Sequence, residues 1–210
     1  MKIVVIGANG KAGKLIIEEA RARGIEVKAF DVLDGGDAKS TDVIIKDLFD
    51  LNKADIRGYD ALINAFGVWK PETMDLFQEA AIHLSDLVSN SEQRLIVMGS
   101  AGSLYVDDNH SEMFMETALM PDFAIPVAKA QAKVLSYLRQ RNDVLWTYLS
   151  PPVDFRPEGA KIGSYQLGKD QMIFSSDNES QISYADYAIA IIDELENKSY
   201  LQQRFTVVAI

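Results

Sequence analysis

The chain begins with a short apolar run that leads into three evenly spaced glycines and then into residues that favour a helix. Residues 3–6 read IVVI, residues 7–13 read GANGKAG, and residues 14–23 have helix-forming side chains. A strand, a glycine turn and a helix in this order place the amides of a helix N-terminus beside the end of a strand, where they bind the phosphates of a dinucleotide. This pattern predicts a first βαβ unit around a parallel sheet.

Each glycine of the loop has its own predicted task. Gly7 allows the tight turn, Gly10 leaves room for a pyrophosphate, and Gly13 lets the helix approach the strand closely. Glycines alone are weak support, because turns use them anyway, but here the preceding run and the following helix agree with them. The predicted dinucleotide-binding loop consists of Gly7, Asn9, Gly10, Lys11, Ala12 and Gly13.

An acidic residue follows at the spacing expected of a dinucleotide site. Asp31 ends the second apolar run, roughly 20 residues beyond Gly13. A carboxylate there accepts hydrogen bonds from the ribose hydroxyls of the adenosine half and repels the 2′-phosphate of NADP. Lys11 could instead reach that phosphate, or remain a solvated lysine of the first helical turn. The sequence favours NADH and leaves NADPH open.

Short β-branched runs alternate with longer amphipathic stretches along the rest of the chain. The alternation predicts a Rossmann-like α/β fold, a doubly wound parallel sheet with helices on both faces, formed by residues 1–210 as a single domain. Apolar residues recur at helical spacing within 77–88, 127–138 and 184–195. The predicted strands are residues 3–6, 26–30, 43–45, 61–64, 95–98, 146–149 and 205–208.

Two segments interrupt this alternation. Residues 102–126 form a long insert rich in Met, Phe, Asp and Pro, which predicts a lid or pocket wall. Residues 156–174 contain turn residues and a predicted hairpin. Because both follow strands whose carboxyl ends should face a ligand, we expect them to form a small C-terminal, substrate-facing lobe.

Composition narrows the kinds of partner. The net charge of −10 repels a phosphate backbone, so we expect a small molecule and not a nucleic acid. The absence of cysteine and the presence of two histidines argue against a thiol nucleophile and a metal centre. No window approaches the roughly 20 apolar residues of a membrane span, and the first residues lack a secretion signal. These features predict a cytoplasmic protein that binds neither metal nor membrane.

Several segments carry a resemblance to a known group. They are GANGKAG at 7–13, KDLFDL at 46–51, DALINAFG at 60–67, VMGSAGSLYV at 97–106, AKAQAKVL at 128–135, WTYLSPP at 146–152 and ISYADYAIAIIDELEN at 182–197. The chain resembles the atypical short-chain dehydrogenase/reductases, and within them the NADH-flavin reductases akin to NmrA-like and biliverdin-reductase-B-like proteins. The first segment is shared across the superfamily, whereas 97–106 and 182–197 are more specific. The resemblance covers nearly the whole chain.

The resemblance assigns cofactor contacts to further loops at the carboxyl ends of predicted strands. One pair of residues would flank the adenine, a loop of three would line the centre of the cofactor, and the last residues would lie at the nicotinamide. In that order the assigned residues are Asp47 and Leu48, then Ala65, Phe66 and Gly67, then Ser100, Pro151 and Val153.

The catalytic pair of that superfamily is incomplete here. Short-chain dehydrogenases typically place Tyr and Lys four residues apart on one helix face, where the lysine lowers the pKa of the tyrosine. This chain has Ile125 at the tyrosine position and Lys129 at the lysine position. Because an aliphatic side chain cannot transfer a proton, alcohol–ketone chemistry by the usual route is disfavoured. Lys129 and Ser100 are the candidate catalytic residues, although Ser100 could equally satisfy backbone groups at a strand end.

Three side chains are candidates for substrate contact. Trp69 and Tyr105 follow the fourth and fifth predicted strands, so they could stack on a planar ring or pack beneath the first insert. His110 could gate the pocket or donate a proton, or be an exposed loop residue.

Together these features favour an NAD(P)H-dependent reductase that passes a hydride to a flavin such as FMN or FAD, a quinone or a similar planar acceptor. Solvent can supply the proton in that reaction, so the missing tyrosine is tolerable. The alternative is a non-catalytic, NmrA-like NAD(P) redox sensor that reports to a protein partner. A nucleotide-sugar epimerase or dehydratase fits less well, because those relatives generally keep the Tyr and Lys pair.

Overall fold

The computed structural model describes residues 1–33 and 42–210. Its α-helices are α1 (Lys11–Ala22), α2 (Leu76–Val88), α3 (Ile125–Leu138) and α4 (Tyr184–Asn197). Its strands are β1 (Lys2–Ile6), β2 (Glu26–Asp31), β3 (Val43–Ile45), β4 (Ala61–Asn64), β5 (Arg94–Met98), β6 (Leu145–Ser150), β7 (Asp154–Arg156), β8 (Tyr165–Gly168), β9 (Gln181–Ser183) and β10 (Gln203–Ala209).

Eight of these strands form one sheet in the order β3-β2-β1-β4-β5-β6-β10-β8. All neighbours are parallel except β8, which runs antiparallel to β10. The chain order reverses between β1 and β4, and a crevice at such a reversal is where doubly wound sheets bind ligands. Strands β7 and β9 form a separate parallel pair.

Helices cover both faces of the sheet, and the first strand shows why. Ile3 and Val5 point to one face and pack into the cluster that contains residues of α1 and α4. Val4 and Ile6 point to the other face, among residues of α2 and α3. Because side chains alternate along a strand, a continuous run of four apolar residues is what a strand buried on both faces requires.

The predicted α/β fold is confirmed, and each of the seven predicted strands is present. The segment 156–174 differs from its predicted hairpin, because Tyr165–Gly168 pairs with β10 and so extends the main sheet. This pairing satisfies the outer edge of β10, which a local hairpin would have left unpaired. β7 and β9 are three residues each, too short for a periodic pattern.

The two inserts contact each other through their backbones. Tyr105 N–H donates to Asp170 O at 2.9 Å, and Met172 N–H donates to Tyr105 O at 2.8 Å. The buried Arg204 of β10 binds both segments, since its guanidinium donates to Ser103 O at 2.9 Å and to Asp170 Oδ1 at 2.7 Å. The inserts are therefore fixed to each other and to the sheet.

None of the helices within residues 1–33 and 42–210 has the length and apolar character needed to cross a membrane.

A buried ion pair joins α4 to the amino end of the sheet. Arg94 at the start of β5 donates to Glu194 Oε1 at 2.5 Å and to Glu194 O at 2.8 Å. The Glu194 carboxylate also accepts the N–H groups of Ser199 and Tyr200. Both charged side chains are almost fully buried, so each depends on the other for compensation.

We expect Glu194→Ala to lower the free energy of unfolding by about 3 to 5 kcal/mol, because it leaves the Arg94 guanidinium buried without its carboxylate. Urea denaturation of the variant measures this loss. Glu196→Ala is the matched control on the same helix, and its half-exposed pair with Arg23 should be worth about 1 kcal/mol or less. Equal losses in the two variants would contradict the role assigned to burial.

Candidate functional site

The glycine loop lies where the strand order reverses, and two of its glycines are required by packing. Gly7 has a φ of +79°, and a Cβ there would lie 2.7 Å from Ala65 O, just beyond β4. A Cβ on Gly13 would lie 2.1 Å from Gly7 O. Neither position has room for a side chain, so these two residues bring β1, α1 and the end of β4 into close contact.

Gly10 differs from the other two glycines. It caps α1 with an extended backbone, and among the residues that the structure describes a Cβ there would meet only Gly7 O, at 3.2 Å. The space beside it is therefore open enough for an approaching ligand, as the prediction of a pyrophosphate position requires.

The N-terminus of α1 is chemically suited to an anion. Lys14 N–H makes the first hydrogen bond to Gly10 O, so the N–H groups of Lys11, Ala12 and Gly13 are the orphan donors of the first turn. No side chain caps this end within the described ranges, and its first turn has no acidic residue. Outward-facing amides and the positive end of the helix dipole fit the pyrophosphate of a dinucleotide.

Asp31 contacts the glycine loop directly. Its Oδ2 accepts the Asn9 N–H at 2.8 Å, and its Oδ1 accepts the Leu33 N–H at 3.0 Å. The carboxylate therefore lies at the end of β2 beside the loop, the position from which contact with a ribose was predicted.

Lys11 is paired with a residue of the second insert. Its Nζ lies 2.9 Å from Glu158 Oε1, and this hydrogen bond raises the pKa of the lysine. Both side chains are largely exposed, so the pair is open to exchange with a bound anion.

The predicted adenine residues lie near this end of the sheet. Asp47 accepts the Phe49 N–H at 3.0 Å and so caps a short 3-10 turn, while Leu48 is buried in the core. Val32, Leu33 and Phe49 are exposed apolar side chains in the same loops, which the sequence analysis did not single out. Their exposure could not be inferred from sequence, because it depends on how the loops pack.

The loop after β4 supplies the centre of the predicted cofactor track. Ala65 N–H continues the pairing of β4 with β1 by donating to Ile6 O at 2.9 Å. Phe66 N–H donates to Asn64 Oδ1, and its ring packs edge-on against Phe77. Gly67 faces open space, since a Cβ there would have no neighbour within 4 Å among the described residues.

Ser100 follows β5 and has a buried hydroxyl. Its Oγ has no hydrogen-bond partner in the described part of the chain. Its N–H points to the hydroxyl of Tyr148, at 3.4 Å, and the Tyr148 ring fills the space that a Cβ on Gly99 would need. Burial raises the pKa of Tyr148, so its protonated hydroxyl donates to Gln131. Tyr148, which was not predicted from the sequence, supports the backbone beneath Ser100.

Lys129 lies one helical turn after Ile125, the residue at which α3 begins. The preceding residue, Ala128, packs against Gly102 of the loop that follows Ser100. Lys129 itself is exposed. The helix that carries Lys129 therefore packs against the Ser100 loop. Among the described residues, no side-chain contact between Lys129 and that loop is recorded.

A cavity of about 500 Å³ opens beside the end of β6. Both inserts contribute to its lining, as does the loop after β6 through Val153, while the nearby Pro151 is buried. Six lining residues are apolar and five are polar. They are Val106, Phe114, Leu119, Val153, Met172 and Phe174, and Asp154, Arg156, Glu179, Ser180 and Gln181.

Only part of the predicted substrate set is brought together. The rings of Tyr105 and His110 stack with centroids 4.6 Å apart, so one face of Tyr105 is covered. Val106, the next residue, lines the cavity. Trp69 is 70% exposed, and the described residues record no ring contact for it. The apolar residues of the first insert, such as Phe114, gave a usable sequence signal for the lining, whereas residues 179–181 gave none.

Within the described ranges, no group of acidic or histidine side chains could hold a metal ion.

Comparison with known proteins agrees with this geometry. A protein-family model described as NAD(P)H-binding matches residues 7–198. The uncharacterised protein YwnB of Bacillus subtilis is 44% identical over 212 residues, which span 100% of this chain and 99% of that protein.

Two solved structures are also similar over the full length. A "putative NADH-flavin reductase" of Streptococcus pneumoniae has a TM-score of 0.95 and 41% identity, with 100% of both chains covered. A "putative epimerase" of Bacteroides thetaiotaomicron has a TM-score of 0.85 and 33% identity, with 100% of this chain and 97% of that chain covered. The family model matches nearly the whole chain, and the glycine loop and the reversal of strand order agree with it. The chain therefore belongs to the NAD(P)H-binding family.

Proposed function

We propose that this chain is an NAD(P)H-dependent oxidoreductase that passes a hydride to a flavin or a similar planar acceptor. The observation that carries the proposal is the cavity of about 500 Å³, with a largely apolar wall, next to Val153 at the nicotinamide end of the predicted cofactor track. Its size is in the range of sites that bind a drug-sized molecule. The description of the Streptococcus pneumoniae relative supports a flavin as the acceptor.

The residues of the glycine loop would hold the cofactor. The orphan amides of Lys11, Ala12 and Gly13 would bind the pyrophosphate, and Asp31 would accept hydrogen bonds from the adenosine ribose. Backbone around Asp47 and Leu48 would flank the adenine, together with the exposed Val32 and Leu33.

The chemistry of the proposed reaction needs little from the protein. When bound, the reduced nicotinamide supplies two electrons and a proton as a hydride, and the acceptor takes one further proton from solvent. The residues of the chain would orient the two rings and exclude water. Ile125 offers no proton, and Ser100 Oγ has an unused hydrogen bond to offer to the nicotinamide or the acceptor.

The two inserts would form the acceptor-binding wall. Their backbone bonds through Tyr105 and their shared contact with Arg204 support one substrate-facing lobe built from 102–126 and 156–174. Phe114 and Met172 come from different inserts and line the same cavity.

Steady-state oxidation of NADH in the presence of FMN tests the proposal. We expect turnover with the wild-type chain and loss of it in Gly10→Val, because the branched side chain would occupy the pyrophosphate position. Calorimetric titration with NADH and a thermal unfolding curve serve as controls, and only the first should change. Tight NADH binding without turnover of FMN or a quinone would favour the redox sensor instead.

The relative affinity for NADH and NADPH provides a second test of the proposal. Asp31→Ser should raise the affinity for NADPH relative to NADH by about tenfold, because it removes a like charge from beside the 2′-phosphate. Asp50→Ser, an exposed carboxylate in the same region, is the control for net charge. Equal or tighter binding of NADPH by the unaltered protein would contradict the role of Asp31.

The role of Lys129 separates hydride transfer from general-acid catalysis. If no protein acid is required, Lys129→Ala should raise KM for NADH while kcat falls little, because the lost contact acts on binding. A general acid would instead be worth about 10² to 10⁴ in rate. Single-turnover transfer from deuterated NADH, measured across pH at saturating cofactor, distinguishes the two. A large fall in that rate would make Lys129 catalytic.

A further inference from the structure

The polar wall of the cavity is the outer face of the β7–β9 pair. Asp154 is paired with Gln181 in the register of these strands, so their side chains lie on the same face. The intervening Phe155 points to the other face, where its ring contacts Tyr184 and Tyr187. The register therefore places the Gln181 side chain on the side of the cavity, whose apolar lining comes mainly from the two inserts.

The Gln181 amide has a fixed orientation. Its Nε2 donates to the Glu179 carboxylate, which can only accept, so Oε1 is the acceptor that remains. That oxygen is buried and has no hydrogen-bond partner in the part of the chain that the structure describes. The adjacent Ser180 Oγ is also buried and unpartnered within those residues. Folded proteins satisfy nearly all buried polar atoms, and these two are closed to bulk water.

The unsatisfied atoms of the polar wall do not indicate a charged ligand. Arg156, the basic residue of the lining, is already bound to Asp154, with Nε 2.6 Å from Oδ2. The unsatisfied groups are neutral, one an acceptor and the other a hydroxyl that can donate. Both oxygens are buried in the ligand-free chain, so a ligand in the cavity would reach them after rotation about the side-chain torsion angles of Ser180 and Gln181.

We propose that Gln181 and Ser180 recognise the edge of a cyclic amide or imide in the acceptor. Gln181 Oε1 accepts from a ring N–H, and the Ser180 hydroxyl donates to the neighbouring ring carbonyl. The pyrimidine edge of a flavin has both groups side by side. A quinone has the carbonyl and lacks the N–H, so it leaves Gln181 unsatisfied. The inference rests on the proposed function and narrows its acceptor to this chemical class.

Lumiflavin and N3-methyllumiflavin differ only in that ring N–H, and their binding without NADH tests the proposal. Flavin fluorescence measures the dissociation constants. We expect methylation to weaken binding to the wild-type chain about tenfold, the effect of removing one buried hydrogen bond. In Gln181→Met, which keeps the side-chain length and loses the acceptor, the two flavins should bind equally. Gln140→Met, at an exposed glutamine beyond the end of α3, should retain the tenfold difference.

Ser180→Ala provides a second variant. It should weaken both flavins several-fold and by a similar factor, because it removes the donor to the ring carbonyl and not the partner of the N–H.

Equal binding of the two flavins by the wild-type chain overturns the inference, and it does so even if Gln181→Met fails to fold. A tenfold difference that persists in a folded Gln181→Met variant overturns it too. In both cases, continued NADH oxidation with lumiflavin would leave the proposed function standing. If NADH binds and neither flavin does, the result contradicts both the inference and the flavin acceptor of the proposed function.

Discussion

Backbone contact at the glycine loop is the constraint on which the rest of the molecule depends. With no side chain on Gly7 or Gly13, the carbonyl of Gly7 lies against α1 and the turn lies against Ala65. β1, α1 and the end of β4 thereby meet at the carboxyl end of the sheet, although β4 lies far along the chain from the other two. A single added methyl group at Gly13 would force α1 away from the sheet, and with it the donors at its first turn. The geometry of the proposed phosphate site is thus a product of close packing as much as of hydrogen bonding.

Different parts of the chain build the two halves of the site. The loops after β1 and β4 form the centre of the proposed cofactor side, and their close approach leaves no room for a side chain at Gly7 or Gly13. The proposed acceptor side is formed by the two long inserts, which are fixed at their bases by Arg204, whose guanidinium binds Ser103 and Asp170. A cofactor side fixed by backbone packing and an acceptor side formed by inserts would allow one fold to keep the same cofactor while the acceptor differs.

Most of the fold could be predicted from sequence because its signals are local. The apolar run of residues 3–6, the glycine spacing and the helical periodicity each predict an element from a few neighbouring residues. The short strands β7 and β9 carry no such signal, since their pairing depends on the return of the chain some 25 residues later. The same holds for the part of the cavity lining at residues 179–181 and for Tyr148. Asp31 is an intermediate case, because its position was predictable from spacing, whereas its hydrogen bond from the Asn9 N–H required the folded loop.

The second insert contacts both α1, which begins at the glycine loop, and the cavity. Glu158 is paired with Lys11 at the start of α1, and Lys161 is paired with Glu19 further along the same helix. Arg156, two residues before Glu158, belongs to the cavity wall. Any shift of this segment that accompanies filling of the cavity must alter the setting of Glu158 against Lys11. Thermodynamic linkage then requires that a ligand in the cavity and an anion at Lys11 change the affinity for each other by the same factor, whichever binds first. Because the Lys11–Glu158 pair is exposed, this coupling should weaken as the salt concentration rises.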